Sequence, residues 1–269
     1  MILSEVKDYS QILKGLGLIK NKARESKMRL LTNFFPEQKS QNQWIEDRRL
    51  KIAVSEHSMI LVLADDYADR LFYVSSEAIN LTTMIESVHE NSVKPIVIEH
   101  ITNRGGFELD AVSKSRVLLR YSRSGVLPYI TPKQKSVETA GTDDILRIRK
   151  LLLEHFDKIT DRIPSISEIL SLGSKGGVIE VKENEEIKGF LIYELTGQSI
   201  HLRYWWTNPL YRNQGIGSSL MACFFQAGKD TSRQYLWVDK DNDNAIGCYE
   251  HYGFSPDGLS DYIQVISNP

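Results

Sequence analysis

Pro209-Leu-Tyr-Arg212-Asn-Gln-Gly215-Ile-Gly217-Ser-Ser-Leu220 reads as a strand-to-helix turn suited to holding phosphate. The run from His201 to Thr207 that leads into it, rich in tryptophan, reads as a strand. In the segment that leaves it, Ile216, Leu220, Cys223, Phe224 and Ala227 fall at helical spacing. Glycine lets a backbone approach a ligand closely. The N–H groups of a first helical turn point outward at the positive end of the helix dipole, where an anion is favoured. Such a turn can cradle a pyrophosphate, or it can be only a tight turn. The dinucleotide pattern G-x-G-x-x-G fails at Leu220, and no Gly-Lys-Ser/Thr follows to make a P-loop.

A second block lies downstream, Leu236-Trp-Val-Asp-Lys-Asp-Asn242-Asp-Asn-Ala245-Ile-Gly-Cys-Tyr249-Glu-His-Tyr-Gly253-Phe254. It reads as a short strand, an Asp/Asn loop able to cap a helix, a helix from about Ala245, and Gly253 as its stop. Together the two blocks resemble the GNAT superfamily of acetyl-CoA-dependent N-acetyltransferases. The resemblance rests on Pro209, on Arg212-x-x-Gly215-x-Gly217 and on Asn242-x-x-Ala245-x-x-x-Tyr249-x-x-x-Gly253-Phe254. It covers about residues 133–265.

Around these blocks, Thr142–Phe156 and Asp161–Leu172 read as helices. Val178–Val181 and Phe190–Leu195 read as a hairpin about an acidic turn, and Ser199–Thr207 as a third strand. The first half echoes that order. Helical segments are expected over Ser4–Phe34 and Gln41–Leu50, a strand–turn–strand unit over Met59–Val74, a helix over Ser75–His89 and a strand over Pro95–Ile98. The expected fold class is therefore α+β, a mostly antiparallel sheet flanked by helices, in two tandem GNAT-like domains: residues 1–130, a degenerate or interaction domain, and 131–269, the acetyltransferase domain. The boundary is expected around Pro128 to Ser136, among prolines and a Lys-Gln-Lys-Ser run. The first half has one glycine pair, Gly105-Gly106, without the Arg-x-x-Gly-x-Gly spacing, so its cofactor site is expected to be lost.

A length of 269 residues suits two domains, and 41% hydrophobic with 25% charged residues gives ordinary material for two cores. A net charge of −2 argues against a general nucleic-acid binder. No apolar run reaches the length of a membrane span, and the N-terminus lacks a basic-then-apolar signal, so a cytoplasmic protein without membrane contact is expected. Cys223 and Cys248 read as small buried hydrophobes of a reducing compartment. The six histidines have no metal-ligand spacing, and no metal is expected. The basic cluster from Lys20 to Arg29 reads as a solvated helix face.

The resemblance implies an enzyme that moves the acetyl group of acetyl-CoA to a primary amine by direct attack in a ternary complex. Arg212, Asn213, Gln214, Gly215, Ile216, Gly217 and Ser218 would hold the pyrophosphate. The backbone of Trp205, Trp206 and Thr207 would pair with the pantetheine arm, although both tryptophans also suit ordinary sheet packing. Tyr249 would be the general acid for the departing thiolate, since a phenol holds its proton at neutral pH. Asn242 would contact the coenzyme or the reacting end, and Asn244 would cap the helix. Glu194 and His201 are both candidates for the base, and strand register decides which faces the site. The acceptor would be a small-molecule or peptide amine, and the protein a monomer or homodimer. The alternatives are another acyl donor or acceptor, or a CoA-binding regulatory or scaffold protein with little catalysis.

Overall fold

A computed structural model describes residues 2–104, 114–125 and 135–267 of the chain. They form two compact units, Met1–Val117 with Ser260–Pro269, and Leu118–Leu259. The expected boundary between 130 and 131 and the pair Gly105-Gly106 lie outside the described residues.

In the first unit the order is β1 (Ser4–Glu5), α1 (Tyr9–Glu25), β2 (Leu31–Thr32), α2 (Gln38–Glu46), β3 (Leu50–Val54), β4 (Ser58–Leu63), β5 (Asp69–Ser75), α3 (Ala78–Glu90) and β6 (Ile96–Thr102). β7 (Lys114–Arg123) then enters the second unit. That unit continues with β8 (Glu138–Thr139), α4 (Thr142–His155), α5 (Ile166–Ser174), β9 (Val178–Glu183), β10 (Glu186–Thr196) and β11 (Ser199–Thr207). A 3-10 turn (Pro209–Tyr211), α6 (Ile216–Ala227), β12 (Arg233–Asp239) and α7 (Asp243–His251) follow, and β13 (Ser255–Ile266) ends the chain in the first unit.

Each unit builds its sheet in the same order. In the first, the strands run β1-β3-β4-β5-β6-β13; in the second they run β8-β9-β10-β11-β12-β7. Both are antiparallel except at one place, β5/β6 and β11/β12, where a helix makes the crossover that a parallel pair requires. The expected α+β architecture, one fold used twice, is what the chain adopts. The last strand of each sheet comes from a distant part of the sequence.

In the second unit the sheet separates two apolar layers. On one face Leu191, Ile200, Leu202, Leu236 and Val238 pack against Leu220, Phe224 and Phe225 of α6 and Tyr249 of α7. On the other, Phe190, Ile192 and Tyr204 pack against Ile145, Ile148 and Leu152 of α4 and Ile169 of α5. Alternation along each strand assigns neighbours to opposite layers.

Several elements differ from expectation. Ser4–Phe34 is not one helix: Asp8 caps the start of α1 in a capping box with Gln11, and Lys27, at φ 53°, stands just past its end. The following Leu31–Thr32 is a strand. Leu50 opens β3 instead of closing a helix. Asp161–Leu172 is helical only from Ile166, because Arg162 sits at φ 49°, Pro164 disfavours helix at Ile163, and Ser165 caps the start of α5. Cys223 is half-buried against the α6 layer, but Cys248 is exposed, on the outer side of α7.

Candidate active site

The end of β11 and the start of α6 form the turn that the sequence singles out. Asn208 caps the 3-10 turn by accepting from the Leu210 amide at 3.1 Å, with Pro209 at its first position. Asn213 (φ 62°) and Gly215 (φ 83°) then adopt left-handed backbone, which bends the chain sharply into α6. Asparagine tolerates that conformation and glycine adopts it freely. Gly215 is the N-cap of α6 and has no side chain to accept from the first-turn amides of Ile216, Gly217 and Ser218. Arg212, Asn213 and Gln214 are exposed around that helix end.

The second glycine has a packing reason. A β-carbon on Gly217 would stand 3.0 Å from Cζ2 of Trp205, so the helix start lies directly on the indole. A third glycine, Gly189 on β10, was not legible as part of the site. Its β-carbon would fall 2.7 Å from Cγ2 of Ile216 and 3.0 Å from the Trp206 carbonyl oxygen. Gly189 pairs with Thr207 across the sheet and so sets how closely α6 approaches it.

Beside the turn, β11 and β12 part company. Their parallel pairing runs from Ser199↔Arg233 to Leu202↔Leu236, while β11 continues to Thr207 and β12 to Asp239, where it pairs with β7. A bulge at the same level, between Ile192↔Tyr204 and Tyr193↔Leu202, places the extra residue Arg203 on β11. Trp205, Trp206 and Thr207 lie on the stretch beyond. Trp206 packs on the α4 side, 4.9 Å from the His155 ring and 5.5 Å from Phe190. Trp205 faces the other way, between Tyr249 (5.8 Å) and Tyr252 (5.9 Å), and its buried Nε1 has no hydrogen-bond partner among the described residues.

Tyr249 is the one buried residue of α7. Its ring meets Trp205 and, edge-on at 6.3 Å, Phe254. Burial lifts its phenol well above the usual value, so the hydroxyl is protonated at neutral pH. Asn242 caps α7, its Oδ1 accepting from the Ala245 amide at 3.1 Å. The cap is thus Asn242 and not Asn244, because the helix begins at Asp243, earlier than expected.

Glu194 and His201 stand directly opposite each other on β10 and β11, just below the last β11/β12 pair. Ile200 and Leu202 point to the layer that holds Tyr249, so by alternation His201 points to the α4–α5 side. Its ring stacks on Tyr235 at 4.4 Å. Burial, with the neighbouring guanidinium groups of Arg203 and Arg162, pulls His201 down to about 3, so it is neutral throughout the physiological range. Glu194 is partly exposed, with Oε2 3.9 Å from Nη1 of Arg203, which also holds Glu168 at 2.7 Å.

A further acid escaped notice in the sequence. Glu180 on β9 is 1% exposed, and burial, reinforced by the Asp144 carboxylate, raises it to about 7. Asp144 in turn pairs with Lys182 at 2.6 Å and Arg147 at 2.9 Å. Among the described residues, no group of three or more His, Cys, Asp or Glu is placed to hold a metal ion, and no helix is long and apolar enough to cross a membrane.

Residues 145–254, which include the turn, the parting strands and α7, match the family model described as the acetyltransferase (GNAT) family. Residues 145–254 form a GNAT domain. No curated protein matches the chain in sequence. Solved GNAT structures resemble it along nearly its whole length, at low identity. A GCN5-related N-acetyltransferase from Sphaerobacter thermophilus aligns with TM-score 0.61 and 12% identity, over 94% of this chain and 90% of its own. A GNAT-family acetyltransferase from Colwellia psychrerythraea gives 0.55 and 14%, over 100% of both chains. A tandem GNAT protein from the clavulanic acid biosynthesis pathway gives 0.59 and 11%, over 100% of this chain and 98% of its own. At such identities the likeness speaks for the fold.

Proposed function

We propose that the GNAT domain moves the acetyl group of acetyl-CoA to a primary amine of a small molecule or peptide by direct attack. The observation that carries this reading is the place where the β11/β12 pairing ends. Beyond Leu202 the Trp205–Thr207 backbone leads, through the 3-10 turn and the sharp bend at Asn213 and Gly215, to a helix start whose first-turn amides have no side-chain cap. An extended amide-bearing chain ending in a pyrophosphate fits that sequence of groups: backbone first, helix end second.

The coenzyme supplies the acyl thioester when bound. The amides of Ile216, Gly217 and Ser218 and the exposed Arg212 guanidinium hold the diphosphate. Trp205 to Thr207 orient the arm through backbone hydrogen bonds, and the buried Trp205 Nε1 is a donor with no acceptor among the described residues. Tyr249, against Trp205 and kept protonated by burial, gives its proton to the departing sulfur. Glu194, which shares the α4–α5 side with His201, takes the proton of the attacking ammonium through water. His201 does not serve, because a ring that titrates near 3 binds protons too weakly for the task. Asn242 holds α7 and reaches the ligand only through that helix.

One observation favours the alternative, a coenzyme-binding protein with little catalysis: the burial that keeps Tyr249 protonated also makes it a weaker acid. Incubating the full chain with acetyl-CoA and a panel of primary amines, and following free thiol, separates the two. Saturable thiol release that depends on one amine supports the enzyme. Coenzyme binding without release from any amine supports the other reading.

A further inference from the structure

The strand separation seen in the GNAT domain occurs again in the first unit, at the equivalent place. There β5 and β6 pair in parallel only at Asp69↔Ile96 and Arg70↔Val97, while β5 runs on to Ser75 and β6 to Thr102. In this unit the space between them contains protein. β2 lies antiparallel along β5, with Leu31↔Ser75 and Thr32↔Val74 in register. The opposite edge of those β5 residues is already paired with β4, at Ser58↔Ser75 and Met59↔Val74, so β2 takes the edge that faces β6.

Asn33 completes the contact. Its backbone amide donates to the Tyr73 carbonyl at 3.3 Å, and its Oδ1 accepts from the Tyr73 amide at 2.6 Å. Its Nδ2 donates to the Leu71 carbonyl of β5 at 3.0 Å and to the Glu99 carbonyl of β6 at 2.9 Å. One buried carboxamide therefore ties both strands together across the gap. Thr32 adds a bond from Oγ1 to the Tyr73 carbonyl at 2.9 Å, and Tyr73 Oη meets His100 Nδ1 at 3.2 Å.

The helix start differs as well. In the GNAT domain, residues 208–215 separate β11 from α6; in the first unit only Ser76 and Glu77 separate β5 from α3. The N-cap of α3 is Glu77, a carboxylate where an anion would have to sit, and the Glu77 amide already donates to Ser75 Oγ at 3.0 Å.

We infer that the first unit is closed to acyl-CoA by its own chain: Leu31–Asn33 occupy, as an added strand, the gap that the GNAT domain leaves for the extended arm of the coenzyme. An amide-rich arm and a peptide segment make the same hydrogen bonds to a strand edge, so one can replace the other. The chain then carries a single acyl-CoA site. This inference rests on the reading of the second gap as the coenzyme site.

Residue-resolved hydrogen exchange on the full chain, with and without millimolar acetyl-CoA, tests it. Without ligand, the Tyr73 amide should exchange as slowly as those of the core strands, and Asn33→Ala should speed it roughly ten- to a hundred-fold. Acetyl-CoA should slow exchange in Trp205–Thr207 and leave Leu71–Ser75 unchanged. A Tyr73 amide that exchanges like an exposed loop in the wild-type chain, or one that acetyl-CoA slows, overturns the inference. If acetyl-CoA slows neither stretch, the reading of the GNAT domain fails, while a protected Tyr73 amide still upholds the filled gap.

Discussion

Leu202 and Leu236 are the last cross-strand pair that β11 and β12 share, and the Trp205–Thr207 backbone and the start of α6 lie beyond that pair. Both side chains belong to the layer packed against α6, so the point of separation is anchored in the core. The geometry of the gap is thereby held by burial and not by a loop.

Tyr249→Phe removes one hydroxyl from a ring whose packing on Trp205 and Phe254 stays intact. Turnover with the best amine should fall roughly a hundred-fold or more, the usual scale of a lost general acid. Coenzyme affinity, measured by titration, should stay within about threefold, since the contacts that bind the coenzyme in its ground state are untouched. Undiminished turnover would remove Tyr249 from the chemistry.

Glu194→Gln and His201→Ala separate the two candidate bases. The Glu194 variant should lose about a hundred-fold in kcat/KM for the amine. The His201 variant should keep the pH dependence of kcat/KM across the neutral range, because a ring titrating near 3 changes no charge there. Loss of a limb of that profile in the His201 variant would reverse the assignment.

Gly189→Ala places a β-carbon against Ile216 and the Trp206 carbonyl, and the carbonyl belongs to backbone that cannot turn aside. A destabilisation of roughly 1–3 kcal/mol is expected from such overpacking. Since relief requires α6 to move off the sheet, coenzyme affinity should weaken together with the melting temperature. A variant that melts with the wild type and binds equally well would show that the close approach of α6 does not matter.

Glu180 gives a stability signature. Its folded value of about 7 lies above the ordinary carboxyl value of 4.5, so the folded state binds this proton more tightly than the unfolded chain does. The stabilisation is complete below pH 4.5 and is lost as pH rises through about 7. Glu180→Gln keeps the neutral shape at every pH. Denaturant titrations at about pH 5 and about pH 8 should show the variant gaining roughly 1–3 kcal/mol on the wild type between the two. An equal pH dependence in both proteins would mean that Glu180 titrates normally.

The turn from Pro209 to Leu220 was legible because its chemistry is local: two glycines, an arginine and a helix start lie within one stretch. Tyr249 and Gly253 were legible for the same reason, fixed on one helix and its stop. What stayed hidden depends on register between distant strands. Nothing near Leu202 announces that its pairing with Leu236 is the last one. Gly189 reads as an ordinary strand glycine until Ile216 is packed on it. Leu31–Asn33 falls inside a stretch that reads as helix, because the partners of Asn33, Leu71 and Glu99, lie far along the chain. The value of Glu180 arises from burial and from Asp144, and neither is visible from its neighbours in sequence.

Calorimetric titration of the full chain with acetyl-CoA tests the central claim most directly, since it reads affinity and stoichiometry together. Saturable binding at one site per chain, abolished or much weakened by Arg212→Glu, is the expected result. No binding at millimolar acetyl-CoA would contradict the assignment of the gap beyond Leu202 and Leu236 to the coenzyme.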